Sequence, residues 1–91
     1  MLMKIQIDPH TLERAAERGA SEDEIKDVLN TGFDIPVKRG RQCKAKVYKF
    51  NKKRLNTFFE HKKIEVLYTI EDDKIVTITV YVFYGKWKEQ Q

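Results

Sequence analysis

The stretch DPHTLERAAERGASEDEIKDVLNTG, residues 8–32, decides the fold, because it holds the start and stop signals of two successive helices. Asp8 offers a carboxylate to an orphan N–H of the first helix, and Pro9 at the first helical position loses nothing by lacking its own. Leu12, Ala15 and Ala16 form the expected buried stripe, and Gly19 stands where a left-handed residue closes a helix. Ser21 and Glu24 make a capping box, and Glu22, Asp23 and Glu24 lie in the first turn, where the helix dipole favours negative charge. Ile25, Val28 and Leu29 give the second helix its apolar face, and Gly32 ends it. Only Ala20 separates Gly19 from the second cap, so the helices form a tight hairpin.

Outward from this hairpin the hydrophobic period shortens to two. Met3, Ile5 and Ile7 alternate with Lys4 and Gln6 as in a half-buried strand. Phe33 to Val37 reads as an extended connection or a short edge strand, since Pro36 argues against a central one. Cys43, Ala45 and Val47 alternate with Lys44, Lys46 and Tyr48, which predicts a basic strand. Asn51-Lys52-Lys53 reads as a turn, and 54–60 alternates too briefly to assign. Ile64 to Ile70 is a strand rich in Val, Ile and Tyr. Residues 71–74 turn the chain, and Ile75 to Tyr84 runs back with Val76, Ile78, Val80 and Val82 on its apolar face. Residues 85–91 form a tail in which Trp87 alone can anchor.

The order is β-α-α-β-(β)-β-β. It predicts a two-layer α+β domain, two N-terminal helices packed on one face of a mostly antiparallel sheet. Ninety-one residues make a single domain, 1–91, with its core at about 3–84. One cysteine, Cys43, excludes an internal disulfide and a cysteine-built metal site, and no metal or cofactor is expected. No apolar run approaches membrane-spanning length and no signal-peptide pattern is present, so the expectation is a cytoplasmic chain without a membrane partner.

The net charge of +4 is unevenly spread. Residues 1–37 carry four basic and eight acidic side chains, and residues 64–91 carry three and five. Residues 38–63 carry eleven basic side chains against Glu60 alone. Such a segment attracts polyanions, and charges this dense repel one another unless a counter-charge is supplied. Arg39, Arg41, Lys44, Lys46, Tyr48, Lys52, Lys53 and Arg54 are therefore the expected nucleic-acid-binding residues. Lys44, Lys46 and Tyr48 share one face of their strand, where lysines neutralise phosphates and a phenol ring stacks on a base. The same face also fits a plain edge strand blunted by lysines against aggregation.

His10, Arg14 and Arg18 recur at every fourth position and so line one side of the first helix. An imidazole beside two guanidiniums can bind a phosphate and move a proton. The simpler account is a polar face on which Glu13 and Glu17 pair with the arginines. His61 is expected in a turn.

The pattern His10-x-x-x-Arg14-x-x-x-Arg18-Gly19, then Ser21-x-x-Glu24-Ile25, then Ile78-Thr79-Val80-Tyr81, resembles the DUF4258 family over residues 8–84. Ala20 stands where that family usually has an aliphatic residue. The element order is also similar to that of RelE/ParE-type toxins, with which barnase-like ribonucleases are grouped. The resemblance implies an RNA-directed, toxin-like protein, and metal-independent RNA cleavage through a 2′,3′-cyclic phosphate. On this mapping His10 is the base or acid, Arg14 and Arg18 hold phosphate, and Thr79 positions it. The implied partners are RNA and an acidic antitoxin protein, with a homodimer open to Trp87 and the exposed strand face. The alternatives are a non-catalytic nucleic-acid-binding module and a protein-interaction domain of phage or mobile-element origin.

Overall fold

The structure is a computed structural model that describes residues 3–37 and 40–88. Its elements in chain order are β1 (Lys4–Gln6), α1 (Pro9–Arg18), α2 (Glu22–Thr31), β2 (Phe33–Ile35), β3 (Gln42–Arg54), β4 (Thr57–Glu71) and β5 (Lys74–Gly85). The helix signals act as the sequence predicts. The Asp8 carboxylate accepts the His10 N–H at 2.8 Å, which satisfies one donor that the helix itself leaves open. Gly19 adopts φ +96°, and the Ala15 carbonyl accepts the N–H groups of both Gly19 and Ala20 at 2.8 Å. Ser21 and Glu24 complete the capping box, each accepting the other's backbone N–H.

Gly32 ends α2 as expected, its N–H donating to the Val28 carbonyl at 2.8 Å. Its φ is −75°, so a left-handed turn is not what requires it. A Cβ at this position would lie 2.5 Å from the Val28 carbonyl oxygen and 2.6 Å from that of Ala45. Glycine lets the end of α2 touch the backbone of β3.

The five strands form one sheet in the order β1-β5-β4-β3-β2. β1 runs parallel to β5, and every other pairing is antiparallel. Both helices cover one face, where Ile25 and Val28 of α2 meet Ile64, Val66 and Val80. Each such side chain contributes about 1.5–3 kcal/mol of transfer free energy when fully buried. β2 is an edge strand that stops before Pro36, as expected.

Four local expectations are corrected. First, β5 does not alternate evenly. Leu67 pairs with Thr79 and Tyr68 with Thr77, so Ile78 is an extra residue in a bulge. The bulge reverses the face of everything after it. Ile75 and Thr77 lie on the helix side before it, and Val80 lies there after it, whereas Ile78 is exposed. Second, the buried stripe of α1 is Thr11 and Ala15, with Leu12 half-buried and Ala16 exposed. Thr11 belongs inside because its hydroxyl accepts from Thr77 at 3.1 Å, and the Thr77 hydroxyl in turn accepts the Asp8 N–H at 3.0 Å. Third, residues 51–53 are not a turn. Asn51, at φ 48°, sits in a bulge between Lys49 and Lys52, and the chain reverses at Leu55-Asn56 instead. Two successive positive-φ residues give the type of hairpin turn that follows strand twist. Fourth, His61 lies within β4 and pairs with Lys49 across the sheet.

Candidate nucleic-acid interface

The basic segment meets its counter-charge inside the molecule. Lys44, Lys46 and Tyr48 share one face of β3, but that face lies beneath α2 and beside β2. Lys46 donates to the Asp27 carboxylate at 2.8 Å and to the Thr31 hydroxyl at the same distance. Tyr48 donates to the same Asp27 oxygen at 2.6 Å. Lys44 pairs with Asp34 of β2 at 2.9 Å. Lys62, largely buried, donates to the Gly19 carbonyl at 2.8 Å and pairs with Glu24 at 3.0 Å. Lys63 pairs with Glu65 at 3.1 Å. The acids of α2 and the lysines of β3 and β4 thus bind the two layers together.

This network sets the protonation states around it. The hydrogen bond from Lys46, then that from Tyr48, holds the Asp27 carboxyl below its ordinary value. Burial, then the bond to Asp27, pushes the Tyr48 phenol far above the ordinary tyrosine range. Tyr48 therefore stays a neutral donor. Burial also raises the Cys43 thiol, whose side chain faces away from the helices, as well as Tyr68 and Tyr84.

Of the other expected binding residues, Arg54 is half-buried. It donates to the Glu17 carbonyl at 2.9 Å and lies 4.9 Å over the Tyr84 ring. Arg41 is exposed and lines a shallow depression of about 170 Å³ with Asp34, Ile35, Val37, Gln42 and Cys43. Arg39 lies outside the described residues. Lys49, Lys52 and Lys53 are exposed, and none has an acidic side chain within 4.0 Å among the described residues.

Lys52 and Lys53 lie on a projecting ribbon, and Lys49 stands at its base. β5 ends opposite His61, while β3 and β4 continue as a two-stranded ribbon through the pairs Lys52↔Phe59, Lys53↔Phe58 and Arg54↔Thr57. Successive rungs of a ribbon face opposite ways. The Lys52 and Arg54 rungs turn toward the protein body, where Phe59 packs 5.7 Å from Tyr84. The Lys53–Phe58 rung turns outward, with Phe58 51% exposed and Leu55 at the tip 90% exposed. Lys52 and Lys53 are among the residues expected from the sequence, whereas Lys49, Leu55 and Phe58 are not. The alternation of Leu55, Thr57 and Phe59 was the available signal.

The four residues assigned to chemistry do not converge. His10 and Arg14 stand in solvent, with Glu13 at 3.6 Å from the imidazole and Glu17 at 3.5 Å from the guanidinium. Eight positions of helix turn a side chain by about 80° from the starting direction. Arg18 consequently leaves that face, donates to the Val80 carbonyl and lies 5.6 Å over the Tyr81 ring. Thr79 pairs with Leu67 on the face of the sheet away from the helices. No hydrogen bond or ion pair joins any two of the four. Among the described residues no group of three potential ligands could hold a metal, and no helix is long and apolar enough to cross a membrane.

The fold and this surface define a small two-layer α+β domain that carries an outward-facing basic ribbon with an apolar tip. The family model described as "Domain of unknown function (DUF4258)" matches residues 7–82, and the chain belongs to that family. Comparison with curated proteins and with solved structures returned no match.

Proposed function

We propose that this chain is an RNA-directed protein that holds its ligand on the β3–β4 ribbon. The observation that carries the reading is where positive charge remains after internal pairing. Lys44, Lys46, Lys62 and Lys63 are consumed by acids of the same chain, while Lys49, Lys52 and Lys53 stay exposed without an acidic partner among the described residues. Unpaired cations on one projecting element make an electrostatic footprint for phosphates. Arg54 fastens the ribbon to Glu17 and Tyr84, so little ordering entropy is lost on binding. The test is a mobility-shift titration with RNA in low salt and EDTA. Retarded RNA supports the proposal, and RNA that runs unshifted at every protein concentration removes it.

A second reading, metal-independent cleavage of the toxin type, is favoured by one observation on α1. The His10 imidazole is 88% exposed, with a carboxylate 3.6 Å away on Glu13. An exposed imidazole–carboxylate pair is chemically able to take the 2′-hydroxyl proton. The same titration reads cleavage if the RNA is run on a denaturing gel. Wild-type product that disappears in His10→Ala supports this reading, and intact RNA with the wild type removes it.

A further inference from the structure

Resting on the reading of the ribbon as the nucleic-acid surface, we infer that its ligand is a single strand, with an unpaired base stacked on Phe58. Phe58 is half-exposed on the outward rung, directly across from Lys53, and Leu55 stands almost wholly in water three residues before it. A lysine beside an exposed ring matches both halves of a nucleotide, because the ammonium takes the phosphate and the ring takes the base. Stacking of this kind needs a base whose π-face is open, which a paired duplex does not present along its sides.

The arrangement of the ribbon separates this from groove binding. A ribbon that enters a duplex groove reads base edges with polar side chains. A ribbon that kinks a duplex drives an apolar wedge between base steps. Leu55 at the turn would suit a wedge, but that mode leaves Phe58 standing on the flank of the ribbon without a partner. Phe59, by contrast, is already packed against Tyr84 and is not available to a ligand. Phe58 is thus the exposed ring of the ribbon, and Lys53, which has no acidic partner among the described residues, stands directly across from it.

The experiment compares a short labelled RNA of mixed sequence, single-stranded and annealed to its complement, by fluorescence anisotropy in low salt and EDTA. Tighter binding of the single strand is expected. Phe58→Ala should weaken it about 5- to 150-fold, the usual effect of removing one stacking ring, and leave duplex binding unchanged. Phe58→Trp should restore affinity and Phe58→Leu should not, which separates a π-face from mere apolar area. Because Phe58 is half-exposed, these variants are expected to fold, and circular dichroism checks this. Equal affinity for duplex and single strand, with no effect of Phe58→Ala, overturns the inference and leaves RNA binding intact. Failure of both RNAs to bind overturns the broader proposal as well.

Discussion

Tyr48 and Asp27 stand 2.6 Å apart, phenol to carboxylate, and join β3 to α2. The same carboxylate oxygen accepts from Lys46, so one acid of the helix serves two residues of the strand. This explains how a chain can hold so many lysines in adjacent strands and still fold. The repulsion expected from the sequence is met by acids that the sequence places in the helix laid over them.

Removing that acid should loosen the junction of the layers. Asp27→Asn and Tyr48→Phe are each expected to lower stability by about 1–2 kcal/mol, since the bonds are charge-assisted but partly open to water. The two changes together should cost less than their sum, because they remove the same bond. Urea denaturation of the single and double variants measures both effects.

The direction of the pKa shifts predicts how this junction responds to pH. Asp27 is held below its ordinary value of 3.8. The unfolded chain therefore takes up a proton first as pH falls, so the stabilisation is complete above 3.8 and is lost as pH drops through the lower folded value. Tyr48 is raised above its ordinary value of 10.0. Its contribution is complete below that pH and is lost only as pH climbs through the folded value. Asp27→Asn should flatten the acid limb of a stability–pH curve, and Tyr48→Phe the alkaline limb. Unchanged limbs would mean that other groups set the curve.

The turning of α1 predicts a contrast between two arginines on it. Arg18→Ala should cost about 1–2 kcal/mol through the lost bond to the Val80 carbonyl and the lost contact with Tyr81. Arg14→Ala should stay within about 0.5 kcal/mol, as surface changes usually do. Thermal denaturation of the two variants decides it, and equal losses would contradict the placement.

The bulge in β5 makes a similar contrast between neighbours two residues apart. Ile78→Lys should fold, because Ile78 is exposed, while Val80→Lys buries an unpaired charge in the core and should unfold the chain. Plain alternation along the strand predicts equal outcomes for these two substitutions. Circular dichroism of both proteins is sufficient.

The helices were legible because their signals are local. Asp8, Gly19, Ser21 and Glu24 each act within one turn of their own position. The succession of elements along the chain was legible for the same reason, through alternation and local breaks in it. What escaped was set by partners distant in the chain. Nothing near Ile78 marks it as a bulge, since the shift exists only against Leu67 and Tyr68. Asn51 looks like a turn residue and does adopt positive φ, but as a bulge within a longer hairpin. Lys44 and Lys46 looked like ligand-binding cations because their acids, Asp34 and Asp27, lie 10 and 19 residues away. Arg18 was grouped with His10 by its spacing, although 3.6 residues per turn carries it around to β5.

The most direct test of the account is the salt dependence of RNA binding by wild-type protein and two double variants. Each neutralised phosphate contributes about 0.7 to the slope of log affinity against log salt for a single strand. With Lys49, Lys52 and Lys53 engaged, the wild-type slope should be about −2, from the same relation. Lys52→Ala with Lys53→Ala should bring it to about −0.7 with stability unchanged. Lys44→Ala with Lys46→Ala should lower stability and leave the slope near the wild-type value. The reverse pattern, a slope that falls with Lys44 and Lys46 and ignores Lys52 and Lys53, would contradict the assignment of the ribbon as the nucleic-acid surface.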